Sequence, residues 1–578
     1  MARAPFAYEK RPLMPALAAG LLSAALALAV SILLNFWIIP PIGWSNDAPF
    51  RADGLWLVEA FVSRCQGYLD EGFSIQLAVR HGLALVQFDF DLHFDILDQL
   101  EQRIETIALS CVLAGPVTAG LVAWETRRID IRIHWKGRRF LIGRAGIAAA
   151  TASLADEIGQ YGSGILLAPG IVLSKMRELR NVLIVGAPNS GKTRIVLFLI
   201  GQILDRFRLE PKTTRVLIHD TTGEIYRGLP LLADEFAVIG LRRKKGWAWA
   251  MGRDIRSLAD ATTLAQHLIR PHNASSGENR VFDAGAVVCM TGCLALARSR
   301  HQGDWGPAEL FAIVLENPVA LREAFARVYP AAATLLIIEP DTGALNRTSA
   351  SFILSFQAHV VSMLETLANA WAKIPSERRF SFVDWLDGVG QQPGVVILQR
   401  SARHGPLSSM WMGAVLDLIA AHGCDETYNQ DRRMRVHLVL DEFYQLGDLH
   451  GPFQQVLDVG RNKNIAVIAA FQDLNQGRIA GGEDRARAFR ARFATKIIGQ
   501  MPEGPEAVEA AELIGERVVL TAPAKPGEAP PEKTVAIVDP DIIAADFGIV
   551  HDDVRAAVVG LGDVVEVCWP ITVWKPIR

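Results

Sequence analysis

The sequence is poor in cysteine and in charge. Six cysteines occur in 578 residues, with no CxxC pair and no histidine cluster at metal-ligand spacing, which argues against a disulfide scaffold or a zinc site. Cys289 and Cys293 lie four residues apart in an apolar stretch, which favours a buried helix face over a metal or redox site. With 21% charged and 50% hydrophobic residues, the composition is typical of a membrane-attached protein rather than a disordered or fibrous one.

Two long segments contain no charged residue. They cover residues 13–45 and 106–124, and each reaches the roughly 20 residues that a membrane-spanning helix needs. A cleaved signal peptide is the alternative for the first segment, but its apolar core is too long and no small-residue cleavage site follows it. We therefore predict a membrane domain over residues 1–125, with spans at about 14–40 and 106–124 in a lipid bilayer.

The charges that flank the spans predict their orientation. Basic residues precede the first span and follow the second, at Arg3, Lys10 and Arg11 and again within 127–139, so both flanks should be cytoplasmic. Residues 43–105 contain four arginines and eleven acidic residues and should form a periplasmic segment at a bacterial inner membrane. The rest of the chain carries a net charge of only +2, so any nucleic-acid contact must come from local basic loops.

A phosphate-binding loop follows residue 180. The run NVLIVGAPNSGKTRIVLFLIGQIL contains an apolar strand, the pattern GxxxxGKT and an apolar helix, in the order that a P-loop requires. The glycines let backbone N–H groups point at phosphate oxygens, the lysine reaches the β- and γ-phosphates, and the threonine ligates Mg²⁺. The residues predicted to bind ATP are Gly186, Ala187, Pro188, Asn189, Ser190, Gly191, Lys192, Thr193 and Arg194.

Another apolar run, VHLVL, ends on two adjacent carboxylates, Asp441 and Glu442. Neighbouring carboxylates repel each other and are costly to desolvate unless a cation or a donor compensates them. In P-loop enzymes an acidic residue at the end of a neighbouring strand holds Mg²⁺, and a following glutamate activates the attacking water. We predict that Asp441 and Thr193 hold Mg²⁺ and that Glu442 is the catalytic base, with Lys192 at the phosphates. A solvated strand end is the alternative.

Asp441 lies 249 positions after Lys192, which is more chain than a few βα units need. Residues 255–379 show helical apolar spacing, interrupted by breakers such as RPHNASSGEN and HQGDWGP, and short apolar strands flank this block. The predicted fold class is α/β. It comprises a RecA-like P-loop ATPase domain over residues 126–254 and 380–578, an inserted all-α domain over 255–379, and two preceding transmembrane helices.

Several motifs follow one another in a distinctive order. They are HDTTGEI, KKGWAWAMGRDI, the all-helical insert, PLSSMWMGAVLDLI, LVLDEFYQLG and VGRNKNIAVIAAFQDLNQ. This order resembles that of the coupling proteins of bacterial type IV secretion systems, the TraD and TrwB type, and the two spans around a periplasmic segment also match. The resemblance covers nearly the whole chain, and the complete series of motifs is more specific than any one of them.

The resemblance implies an inner-membrane homo-hexamer that uses ATP to pump DNA to a secretion channel during conjugation. Its expected partners are DNA bound without sequence specificity, relaxase proteins and channel proteins. At Arg461 the family has an arginine that reaches the neighbouring subunit's nucleotide, and at Gln472 a glutamine that senses the γ-phosphate. An arginine supplied in trans accelerates phosphoryl transfer by about 10³- to 10⁵-fold. Without the resemblance, Arg461 would be interpreted as a surface arginine.

Two other functions stay open at this point. One is a chromosome translocase of the FtsK or HerA type, and the other is a receptor that docks protein substrates and uses hydrolysis as a gate. The chain also departs from the family pattern at residues 220–224, DTTGE, and at residues 241–247. The RRKK run at 242–245 is either a solvated turn or a contact to DNA or anionic lipid.

Overall fold

The computed structural model describes residues 13–32, 96–126, 133–230, 232, 234–241, 246–269, 279–446, 452–474, 482–521 and 530–571. The end of the first predicted span, most of the predicted periplasmic segment and the RRKK run lie outside the described residues. The helices are α1 Leu13–Ile32, α2 Ile96–Thr126, α3 Gly143–Tyr161, α4 Lys175–Glu178, α5 Lys192–Leu209, α6 Glu224–Gly228, α7 Met251–Asp254, α8 Leu258–Ile269, α9 Asn279–His301, α10 Pro307–Val314, α11 Pro318–Val328, α12 Pro330–Leu335, α13 Arg347–Trp371, α14 Phe382–Asp387, α15 Gly405–Gly423, α16 Pro452–Val459, α17 Gly482–Ala491, α18 Pro505–Ile514 and α19 Pro540–Ala545. The strands are β1 Ile133–Lys136, β2 Phe140–Leu141, β3 Ser163–Ala168, β4 Ile171–Ser174, β5 Val182–Val185, β6 Thr214–Asp220, β7 Phe236–Ile239, β8 Ala248–Trp249, β9 Arg379–Phe380, β10 Val395–Gln399, β11 Arg435–Leu440, β12 Ile465–Phe471, β13 Thr495–Ile498, β14 Glu516–Leu520, β15 Glu532–Ala536, β16 Gly548–Val550, β17 Asp553–Leu561 and β18 Asp563–Pro570.

The chain divides into two compact units. The first contains residues 1–135 and 519–533, and the second contains residues 136–518 and 534–578. The second unit holds the central sheet together with the helices between β8 and β9. The phosphate-binding loop and the acidic pair both belong to it.

Helices α1 and α2 of the first unit pack through small residues. A Cβ added to Gly20 would lie 2.9 Å from the carbonyl oxygen of Gly115, and Thr118 Oγ1 donates to Ser23 Oγ at 2.8 Å. Close backbone approach and hydroxyl hydrogen bonds of this kind are typical of helices that associate in a membrane.

Helix length and hydropathy give a separate test for membrane spans. Within the described ranges, α13 alone is long and apolar enough to cross a bilayer, and 41% of its most apolar window is buried. Several of its side chains, among them Phe356 and Leu364, belong to the main hydrophobic core. The two predicted spans contain shorter apolar stretches, Ala18–Val30 and Glu105–Gly120, so the two-span arrangement stays a prediction.

An open, mainly parallel sheet forms the centre of the second unit. The strand order is β2-β18-β17-β13-β5-β12-β11-β6-β10-β7, with β16 paired to β17. The run from β13 to β7 is parallel, whereas β17 is antiparallel to both β13 and β18. The predicted α/β class is therefore confirmed. The C-terminal ends of seven parallel strands meet along one edge, where ligands bind in open α/β sheets.

Alternate residues of the central strands face two hydrophobic cores. In β5, Leu183 and Val185 belong to one core, and Val182 and Ile184 belong to the other. Strands that are buried on both faces need apolar residues at every position, which explains the unbroken run in the sequence. The second core contains the buried face of α5, whereas the first continues into the helices between β8 and β9.

Helices α8 to α13 form the all-helical block. Apart from a single bridge between Ile338 and Leu345, no β-pairing occurs among the described residues of this block. Cys289 and Cys293 are buried on α9, as the helix-core interpretation predicted. Burial raises the pKa of the Cys289 thiol to about 12, which disfavours the reactive thiolate.

The carboxylate of Asp254 fastens the two ends of the block. The short strands β8 and β9 pair in parallel at this point. The buried carboxylate accepts hydrogen bonds from Trp249 Nε1 at 2.7 Å, from Ser381 Oγ at 2.6 Å, and from the backbone N–H groups of Phe382 and Val383 at 3.0 Å. Burial raises the pKa of this carboxyl, and the four donors act in the opposite direction.

Asp254→Asn is expected to weaken this junction by about 3 kcal/mol, because an amide NH₂ turned toward these donors leaves some of them buried and unpartnered. Native-state hydrogen exchange of β8, β9 and α14 measures the effect as faster local opening. Asp304→Asn is the matched control. Asp304 is exposed and pairs with Arg379 at 3.4 Å, so its replacement should change stability by less than about 1 kcal/mol. Equal exchange in both variants would contradict the role of Asp254.

Candidate nucleotide-binding site

The predicted phosphate-binding loop connects β5 to α5. The N–H of Gly186 donates to the carbonyl of Phe471 at the end of β12 at 3.1 Å, and the N–H of Ala187 donates to the carbonyl of Gln500 at 2.8 Å. All residues from Gly186 to Arg194 lie in this loop and in the first turn of α5. Bonds to the ends of the sheet therefore hold the loop at the N-terminus of α5, where backbone N–H groups attract phosphate.

Two glycines of the loop have no room for a side chain. Gly191 has a φ of 85°, and a Cβ on it would lie 2.6 Å from Cγ2 of Val554 in β17. A Cβ on Gly186 would lie 2.5 Å from the hydroxyl oxygen of Ser190. Gly191 is required by its backbone conformation as well as by packing. The contact with β17 was not predicted, since nothing in the local sequence links Val554 to the loop.

Lys192, Glu442 and Gln472 meet at the C-terminal edge of the sheet. Nζ of Lys192 lies 2.6 Å from Oε1 of Glu442, and the same oxygen accepts a hydrogen bond from Gln472 Nε2 at 2.6 Å. The exposed fractions of the Lys192 and Glu442 side chains are only 6% and 7%. The adjacent positions of β5, β12 and β11 bring the three residues together. A buried ion pair thus occupies the place where the lysine would contact phosphate.

Asp441 is buried beside this pair. Burial raises the pKa of its carboxyl to about 7; Glu442 and Asp220 add to the rise, and Lys192 opposes it. Oδ1 of Asp441 and Oε2 of Glu442 have no hydrogen-bond partner within the described part of the chain. Carboxylate oxygens that are buried without partners carry a desolvation penalty, which a bound cation removes.

The donors at this point fit Mg²⁺. Thr193 at the start of α5 and Asp441 directly after β11 carry the hard oxygen atoms that would serve as its ligands. No group of three or more histidine, cysteine or acidic residues able to hold a metal occurs among the described residues. A small protein donor set suits Mg²⁺, which takes most of its ligands from substrate phosphates and water. The buried hydroxyl of Ser190, which has no partner in the same ranges, is a further donor for phosphate.

Two residues at the end of β6 belong to the site but were not predicted. His219 Nδ1 lies 2.5 Å from the carbonyl oxygen of Asp441, so Nδ1 carries the proton because a carbonyl only accepts. Burial lowers the pKa of His219 to about 4, and the ring is therefore neutral. Asp220 accepts from the N–H groups of Gly223 and Tyr226 at 2.9 and 2.8 Å. The available signal was the polar pair that ends the apolar run RVLIHD.

Arg461 and Gln472 lie at opposite ends of β12. Gln472 directly follows β12, at the C-terminal edge of the sheet where Lys192 and Glu442 lie. Arg461 lies in the 3-10 turn Gly460–Lys463, which precedes β12. The strand has seven residues, which at 3.3 Å per residue separates the two ends by about 20 Å. Arg461 is exposed and therefore cannot reach the phosphates of its own subunit.

A family model tests the resemblance directly. The model of the type IV secretion-system coupling protein DNA-binding domain matches residues 166–525, more than half of the chain. The chain belongs to the type IV secretion-system coupling protein family. The resemblance predicted from the motif order is thereby confirmed. Coupling proteins of this family are membrane-associated and act in conjugative secretion.

Solved coupling-protein structures have the same fold. The unbound form of the bacterial conjugative coupling protein TrwB has a TM-score of 0.61 and 16% identity, covering 77% of this chain and 95% of that one. TrwB in complex with the ATP analogue ADPNP has a TM-score of 0.58 and 16% identity, with 77% and 96% covered. TrwB in complex with ADP and Mg²⁺ has a TM-score of 0.57 and 17% identity, with 76% and 95% covered. Among curated proteins, no sequence matches this chain.

Proposed function

We propose that this coupling protein binds and hydrolyses Mg²⁺-ATP. One observation carries the proposal: Lys192 and Gln472 both donate to Oε1 of the buried Glu442 carboxylate, beside Asp441. Two acidic residues and a lysine buried together beside a glycine-rich loop are typical of a functional site. The complexes of TrwB with ADPNP and with ADP and Mg²⁺ agree with this proposal.

Each residue of the cluster has a part in the proposed reaction. Lys192 leaves Glu442 for the β- and γ-phosphates, which frees Glu442 to take a proton from the attacking water. Thr193 and Asp441 would hold Mg²⁺, which would neutralise charge on the phosphate oxygens. Gln472 moves its amide donor from Glu442 to the γ-phosphate. The residues from Gly186 to Arg194 enclose the phosphates.

A homo-hexamer with nucleotide between subunits completes the proposed site. Arg461 is exposed at the opposite edge of the sheet from its own loop, so it serves the nucleotide of an adjacent subunit. The coupling protein is held in the inner membrane by two spans, at about 14–40 and 106–124. The contact between Gly20 and Gly115 supports close packing of the two helices.

Its substrate is DNA, delivered with relaxase proteins and passed to the channel proteins of the secretion system. The matched family domain is a DNA-binding domain by its description. The loop that follows β10 places the exposed Arg403 just before α15, at the C-terminal edge of the sheet. A cation there contacts the DNA backbone and does not read the bases.

ATPase assays of the full chain in lipid nanodiscs test the proposed function. Both single- and double-stranded DNA should raise kcat, and the stimulation should fall steeply between about 50 and 200 mM salt. Arg403→Ala should lower the salt slope by about one. Arg433→Ala, an exposed arginine at the other edge of the sheet, is its control. A flat response to DNA, with protein partners still bound, would replace the motor by a docking receptor.

A further inference from the structure

The 3-10 turn that carries Arg461 is fixed by the loop that precedes β11. We name this loop, residues 425–434, the arginine platform. Lys463 at the end of the turn donates from Nζ to the carbonyl oxygens of Glu426 and Tyr428, both at 3.0 Å. A lysine ammonium with two backbone acceptors is a specific anchor and not a freely rotating surface charge.

Asn429 connects the two ends of the platform to the turn. Its Nδ2 donates to the carbonyls of Met434 at 2.8 Å and Lys463 at 2.9 Å, and its Oδ1 accepts from the N–H of Met434 at 3.0 Å. Asn429 has a φ of 47°, in the left-handed region that asparagine tolerates better than most side chains. Three hydrogen bonds from the Asn429 side chain offset the conformational cost of this backbone geometry.

Arg432 makes the contact nearest to Arg461. Its Nη2 donates to the carbonyl oxygen of Arg461 at 3.0 Å, while Asn464 Nδ2 donates back to the carbonyl of Arg432 at 2.8 Å. Neither Arg432 nor Arg461 forms an ion pair within the described ranges. The adjacent Arg433, by contrast, pairs with Asp431 at 2.9 Å. The turn and the arginine platform that holds it therefore carry two guanidinium groups without an acidic partner in these ranges.

We propose that Asn429 and Arg432 are positioning residues that hold Arg461 for the nucleotide of the adjacent subunit. The inference rests on the trans role of Arg461 in the proposed function. A surface arginine must lose side-chain and backbone freedom each time it engages a phosphate. Because the platform fixes the backbone of Arg461 from two sides, only the side chain has to be ordered in the transition state.

Glycine substitutions in the full chain test the proposal with little risk to the fold. Arg432 has a φ of 54° and Asn429 one of 47°, which glycine adopts without strain. Asn429→Gly and Arg432→Gly should each lower kcat by about 10- to 100-fold, with KM for ATP unchanged because the cis site is intact. Arg432→Lys, which keeps a donor, should restore part of kcat, and Arg433→Ala should leave it unchanged.

Hexamers assembled from two different variants distinguish a loss of Arg461 positioning from a general structural defect. Subunits with Glu442→Gln lack a working cis site but keep the platform, so adding them to Asn429→Gly or to Arg461→Ala subunits should restore hydrolysis. A mixture of Asn429→Gly with Arg461→Ala should show no recovery of kcat, because every interface then has a defective arginine. Recovery in that mixture, or a raised KM in the single variants, would overturn the inference.

The control variant distinguishes the two levels of failure. If Arg461→Ala retains its kcat, or is not restored by Glu442→Gln subunits, the proposed trans role fails and the inference falls with it. If Arg461→Ala loses kcat while both glycine variants keep it, only the positioning role is wrong.

Discussion

Glu442→Gln is expected to lower kcat for ATP hydrolysis by about 10²- to 10⁴-fold, the usual contribution of a general base. Its affinity for nucleotide should rise at the same time. The Glu442 carboxylate holds Lys192 at 2.6 Å, and phosphate has to displace it. A neutral amide binds the lysine less strongly, so more of the binding energy of the phosphates appears as affinity.

Equilibrium binding of a fluorescent nucleotide and steady-state kinetics measure the two effects separately. Glu224→Gln is the matched control. Glu224 is partly exposed, and its Oε1 lies 3.6 Å from Nη2 of Arg194 in the first turn of α5. It should leave kcat unchanged and affect binding only weakly. Retained turnover in Glu442→Gln would rule out Glu442 as the base, and a lowered affinity would contradict the displacement of its carboxylate.

Lys192→Ala should abolish nucleotide binding and also destabilise the nucleotide-free protein. The substitution leaves the Glu442 carboxylate buried without its cation, and breaking one side of a buried pair costs about 3–5 kcal/mol. Adding Glu442→Gln to Lys192→Ala should recover most of that stability without recovering binding. The double variant would therefore be more stable than the single one, although it has lost more of the site.

Thermal unfolding of the four proteins of this double-mutant cycle measures the coupling between the two side chains. Lys212→Ala removes an exposed lysine near the C-terminal end of α5, and should change stability by less than about 0.5 kcal/mol. Equal stabilities for the Lys192→Ala variant and the double variant would mean that the pair contributes nothing in the absence of nucleotide.

The candidate nucleotide site was predictable wherever its signal is local. The spacing of glycines and lysine between Gly186 and Lys192 is the pattern of a phosphate-binding loop. An apolar strand that ends in Asp441 and Glu442 indicates a cation nearby, because two buried carboxylates are costly without one. The sheet places β11 and β12 side by side, so that Glu442 and Gln472 follow neighbouring strands. Helical spacing over residues 255–379 likewise indicated a helical block before its packing was known.

Contacts between distant segments were not predictable in the same way. Nothing near Asp254 indicates that its donors include Ser381, and nothing near Gly191 indicates that Val554 fills the space beside it. The direct pairing of Lys192 with Glu442 depends on the order of three strands, which a single sequence fixes only weakly. The distance between Arg461 and the phosphate-binding loop of its own subunit likewise became known only with the direction of β12 in the sheet.

The Asp254 junction has a consequence for the helical block whose ends it joins. All four donors to this carboxylate come from residues 249 and 381–383, outside the predicted block of residues 255–379, and the paired strands β8 and β9 bring the ends of the block side by side. A different helical block joined to β8 and β9 would be fastened by the same Asp254 hydrogen bonds. The helical block can therefore change while the residues that fasten its two ends, and the strands that carry the phosphate-binding loop and the acidic pair, stay the same.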